Sequence, residues 1–67
     1  MKSGNFVELE FVVKGLSQYE LINADHISRI LFVEGTPYIG LAGSTYTRQL
    51  SHVSYDKLVN HLNISEL

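Results

Sequence analysis

The stretch FVELEFVV, Phe6 to Val13, alternates apolar and acidic side chains before closing on a short apolar run. A period of two places Val7, Leu9, Phe11 and Val13 on one face and turns Glu8 and Glu10 the other way, the pattern of a β-strand laid on a core. Phe6 and Val12 fall on the face of Glu8 and Glu10, so the strand carries apolar side chains on both sides. The chain therefore reads as a sheet protein from its first regular segment, and what pairs with this strand decides the rest.

Lys14 to Ser17 reads as a turn, with Gly15 free to adopt positive φ, and Gln18 to Asn23 as the returning strand, with Tyr19 and Leu21 expected on the inner face. Asn23 to His26 is rich in turn formers, and the three-residue interval between Ile27 and Ile30 predicts one helical or 3₁₀ turn over Asp25 to Ser28, with Asp25 as its cap. The apolar run Ile30 to Val33 then fits a central strand covered on both faces. A turn at Glu34 to Thr36, a strand over Tyr38 to Ala42, a tight connection at Gly43 and Ser44, and a strand over Thr45 to Leu50 follow. Pro37 is tolerated at a strand start, where its missing N–H falls at the end of the ladder. Tyr55, Leu58, Val59 and Leu62 have the i, i+3, i+4, i+7 spacing of an amphipathic helix, with Ser54 as N-cap, Ser51 as the alternative cap one turn earlier, and Asn63 as the end. The expected fold is α+β and mainly β: a single domain over residues 1–67, built as a five-stranded antiparallel meander or small curled barrel with one C-terminal helix.

The segment Leu21-Ile22-Asn23 through Asp25, Ile27 and Ile30, the strand ending at Gly43, the strand through Thr45, Tyr46 and Thr47, and the helix around Ser54 to Val59 together resemble the small flagellar FlbD-like family and related short bacterial and phage proteins. The shared pattern covers about two-thirds of the chain. The resemblance implies a compact β-rich fold and supplies no mechanism.

Composition narrows the function classes. With 67 residues and no cysteine, the chain has neither disulfides nor thiolate metal sites, and a single core of this size supplies only ~3–5 kcal/mol. Exceptional packing or self-association is the remaining source of stability. No run approaches the ~18 apolar residues of a membrane span, so no membrane partner and a cytoplasmic location are expected. A formal net charge of -2 lacks the basic footprint of phosphate binding, which makes nucleic acid an unlikely partner.

The polar groups are better explained as punctuation than as chemistry. Glu20, Asp25, His26 and Arg29 lie close in sequence, yet adjacent residues such as Asp25 and His26 diverge in a strand and in a helical turn alike. His52 and His61 flank the terminal helix without a recognised ligand spacing, and Lys57 sits one turn from His61. Ser54-Tyr55-Asp56-Lys57 spells the S-x-x-K of penicillin-recognising enzymes without the companion motifs that chemistry needs. Gly35, Gly40 and Gly43 lack the Lys-Ser/Thr of a phosphate loop and read as turn glycines. No catalytic, cofactor-binding or metal-ligating residue is expected, and no cofactor. The expected role is a small non-enzymatic protein–protein interaction module, a homo-oligomer that also binds another protein, with Phe6, Val12, His26, Arg29, Tyr38 and Arg48 as interaction residues. The alternative is a bacterial or phage regulatory accessory protein that touches nucleic acid through Lys14, Arg29 and Arg48.

Overall fold

A computed structural model describes residues 5–62. It has five strands, β1 (Phe6–Val13), β2 (Leu16–Asn23), β3 (Ile27–Val33), β4 (Thr36–Leu41) and β5 (Thr47–Gln49), a 3₁₀ turn over Ala24–His26, and one helix, α1 (His52–Leu62). The expected class is thus the observed one, a mainly β, α+β fold. Its strands, however, form two antiparallel sheets, β1-β2 and β3-β4-β5, and no closed barrel. Among the described residues the sheets meet at one bridge, between Phe11 and Leu50, and Ser51 donates its N–H to the Glu10 carbonyl beside it.

Two matching hairpin turns set the registers. Lys14 and Gly15 have φ of 53° and 79°, and Glu34 and Gly35 have 52° and 80°. Both central residues at positive φ make the two-residue turn whose twist matches that of antiparallel strands, and glycine fills the second position without a Cβ penalty. β2 consequently starts at Leu16, two residues earlier than expected, with Val13 opposite Leu16 and Val7 opposite Ile22. Residues directly opposite share a face. The odd-numbered core residues of β1 are therefore matched by even-numbered residues of β2, and Ile22 is buried whereas Tyr19 and Leu21 are 64% and 68% exposed. This overturns the expected inner placement of Tyr19 and Leu21.

The helical turn also differs from expectation: it spans Ala24–His26, starting one residue earlier and ending two residues earlier than Asp25 to Ser28, and its cap is not Asp25 but Asn23, whose side chain accepts the Asp25 N–H. The strand expected to be central, β3, lies at the edge of its sheet, and β4 occupies the middle, paired with β3 and β5. Gly40 is a strand residue inside β4, not a turn glycine; a Cβ there would stand 3.1 Å from the Arg29 Cγ and Nε, so the bare backbone makes room for that side chain. Pro37 opens β4 nearly as expected, with its carbonyl accepting from the Leu50 N–H. β5 is shorter than expected, three residues long, following a longer connection.

The core comprises Val7, Leu9, Phe11, Ile22, Ala24, Ile39, Leu50, Tyr55, Leu58 and Val59. The predicted stripe of α1 supplies Tyr55, Leu58 and Val59, and Leu62 packs on it partly buried. Ser51 is the helix cap: its hydroxyl accepts the Ser54 N–H, and its carbonyl accepts the Tyr55 N–H. Ser54 is then released to lie buried inside the helix, where its Oγ accepts the Glu10 N–H at 2.7 Å. The hydroxyl closes the free edge of β1, leaving no need for a further strand at that point. The expected helix end at Asn63 lies outside the described residues.

Candidate interaction surface

Glu10 fixes which way the hairpin's main-chain groups point. Its N–H and C=O engage Ser54 and Ser51, on the side of β1 away from β2. Glu10 and Tyr19 are opposite one another, so they form a non-hydrogen-bonded pair, and by the alternation of an antiparallel ladder the N–H and C=O of Ser17, Tyr19 and Leu21 point away from β1. Among the described residues no strand pairs with that edge. β2 pairs with β1 without a bulge, and from Leu16 to Asn23 it contains neither Lys nor Pro. A bulge, a lysine and a proline are usual devices that protect a sheet edge; β2 has none of these, and its one charged residue, Glu20, is engaged by Arg48. The other sheet differs: its edge strand β3 has a register irregularity between Ile27 and Arg29 and carries the Arg29 charge.

Beside this edge, the outer face of the hairpin presents Phe6, Tyr19 and Leu21, each at least half exposed. Val12 is half-buried on the same face. Glu10 sits among them with its carboxylate accepting from the Ser17 hydroxyl, and hydrogen bonds from Ser17, Ser51 and Tyr19 hold its pKa below the ordinary value. Those hydrogen bonds favour its ionised form, and the exposed Glu8, opposite Leu21, is a second acidic side chain on this face.

On the opposite face, Glu20 and Arg48 make a bidentate ion pair, with Nη1 to Oε1 at 2.9 Å and Nη2 to Oε2 at 2.7 Å. The guanidinium lies 4.0 Å from the centroid of Phe11, over its ring. The stack ties β2 to β5 across β1. Arg48, helped by Gln18, lowers the Glu20 pKa to about 2. Because this folded value is below the ordinary 4.5, the pair adds stability that is complete above about pH 4.5 and is lost as pH falls toward 2. With roughly a third of the Glu20 side chain exposed, solvent screening limits the loss to about 1 kcal/mol. Urea unfolding at pH 7 and pH 2.5 should show that acid loss in the native chain and a smaller one in Glu20→Gln; equal acid losses would remove this pair as a cause.

Where β1 and β5 diverge beyond the Phe11–Leu50 bridge, a pocket of about 350 Å³ opens, lined by Phe11, Val12, Val13, Lys14, Tyr38, Tyr46, Thr47, Arg48 and Gln49. Of the interaction residues expected from sequence, the pocket gathers Val12, Tyr38 and Arg48. Phe6 lies on the outer face of the hairpin, while His26 ends the 3₁₀ turn and Arg29 lies on β3, both exposed. Arg48, one of three cations in the nucleic-acid alternative, is committed to Glu20, while Lys14, also at the pocket, makes no ion pair among the described residues. Asp25 accepts from the Asn5 amide, and Asn5 meets His61 through its other amide atom, so these polar groups pin Asn5 to the turn and the helix. Sequence reading missed Tyr19 and Leu21 as surface residues; the two-residue Lys14-Gly15 turn was the signal that identifies them. Compared with family models, curated proteins and solved structures, the chain matches none.

Proposed function

We propose that this chain is a non-enzymatic protein–protein interaction module that acts as a homo-oligomer. The observation that carries the reading is the β1-β2 hairpin, whose outer face exposes Phe6, Tyr19 and Leu21 beside a strand edge that is unpaired among the described residues. Ten buried hydrophobic residues make a small core, and nine large hydrophobic side chains remain exposed among the described residues. Covering part of that second set supplies the burial a chain this short lacks. No helix among the described residues is long and apolar enough to cross a membrane, and the apolar surface is a broken patch on a hairpin, the form of a protein contact.

Light scattering at micromolar concentration is expected to give about twice the 7.6 kDa chain mass. Leu21→Lys, at an exposed site where substitution costs little stability, should give the monomer with its thermal transition retained. A native chain that stays monomeric overturns the proposal. Retention on DNA that collapses with added salt, from a monomer, would favour the nucleic-acid alternative instead.

A further inference from the structure

Resting on that reading, we infer that the partner of the β2 edge is the β2 edge of a second copy, paired antiparallel about a two-fold axis through Tyr19. Three observations select this occupant and this register. First, the outward main-chain groups belong to Ser17, Tyr19 and Leu21, so hydrogen-bonded pairs across the axis must join odd-numbered residues. Second, an antiparallel contact between identical strands is self-complementary, as a closed two-fold interface requires. Third, the charges distinguish among the registers. With Tyr19 opposite Tyr19, Ser17 stands opposite Leu21, about six main-chain hydrogen bonds form, and Gln18 stands opposite Glu20. Gln18 already donates to the Glu20 of its own strand, and across the axis the same amide reaches a second carboxylate. A shift by one hydrogen-bonded step one way sets Glu20 directly against Glu20, which is unfavourable for like charges facing across strands. The step the other way carries Gly15 of the turn into the pairing and loses ladder bonds.

The assembly is a four-stranded sheet, β1-β2 of one copy continuing into β2-β1 of the other. Its outer face joins the Tyr19 and Leu21 of both chains into one apolar strip.

The absence of native cysteine makes single-cysteine cross-linking unambiguous. In the proposed register the two Tyr19 Cα atoms lie about 5.5 Å apart, within disulfide reach, whereas the two Leu21 positions are several residues out of register and beyond it. Under mild oxidation, Tyr19→Cys is expected to form a covalent dimer, Leu21→Cys alone is not, and an equimolar mixture of Ser17→Cys and Leu21→Cys is expected to form the mixed dimer. Both Tyr19 and Leu21 are largely exposed, so the variants keep the fold, and a retained thermal transition verifies it. A dimer by mass in which the mixture of Tyr19→Cys and Leu21→Cys cross-links while Tyr19→Cys alone does not overturns the register and leaves self-association standing. A dimer that none of these pairs cross-links overturns the edge contact itself. A monomer overturns both.

Discussion

Phe11→Ala is expected to abolish the cooperative thermal transition of this protein at low micromolar concentration. The ring is fully buried, and such a truncation costs ~3–5 kcal/mol. That equals the ~3–5 kcal/mol a core of this size supplies. The position is also a junction: Phe11 bridges the two sheets through Leu50 and is the floor under the Arg48 guanidinium. Its loss leaves Glu20 and Arg48 paired over a void. Circular dichroism melting checks the expectation, with Phe11→Leu as a control that keeps apolar volume and a transition. A Phe11→Ala protein melting within ~0.5 kcal/mol of the native chain, as surface variants do, would show that the sheets are held together elsewhere.

Leu58→Ala is expected to destabilise by ~2–5 kcal/mol, the range for a fully enclosed leucine whose site collapses to differing degrees. Leu58 lies in the stripe by which α1 packs across the β1-β2 sheet and β4, so the helix acts as the clamp where strand pairing does not continue. Urea unfolding at equal chain concentration measures the effect; equal concentration matters because association stabilises the folded state by mass action. A change within ~0.5 kcal/mol would remove the helix from the core.

Much of this fold was legible in the sequence because its patterns repeat the geometry that produces them. Glu8 and Glu10 alternate with Val7, Leu9 and Phe11, and Tyr55, Leu58, Val59 and Leu62 recur at helical spacing, so β1 and α1 stand where periodicity puts them. β2 was harder. It has apolar residues at both parities, Tyr19 and Leu21 against Leu16 and Ile22, so alternation alone does not choose its buried face. Turn length does, since a two-residue loop brings odd residues opposite even ones and leaves Tyr19 and Leu21 outside. The apolar run Ile30 to Val33 suggested a central strand, yet it sits at an edge, with Phe32 spending its ring on an edge-on contact with Tyr55 at a centroid distance of 4.9 Å. Contacts between residues far apart in sequence left no local trace: the Glu20–Arg48 pair spans 28 positions and the Ser54 bond to Glu10 spans 44.

The candidate surface follows from the same register. Had β2 paired with its parity reversed, Tyr19 and Leu21 would be core, and the hairpin would show water a polar face. In the observed pairing the outer face of the hairpin mixes exposed Phe6, Tyr19 and Leu21 with Glu8 and Glu10, and its β2 edge is unpaired among the described residues. Each property is a consequence of the Lys14-Gly15 turn together with the closure of the opposite edge of β1 by Ser51 and Ser54.

Amide hydrogen exchange at Ser17, Tyr19 and Leu21 tests this account most directly, because those N–H groups have no ladder partner among the described residues and report on what covers the edge. At high chain concentration they are expected to exchange as slowly as the β1-β2 ladder amides of Gln18 and Glu20, and to lose that protection on dilution while Gln18 and Glu20 keep theirs. Fast exchange at Tyr19 and Leu21 at every concentration would contradict it, leaving β2 an edge that meets only water.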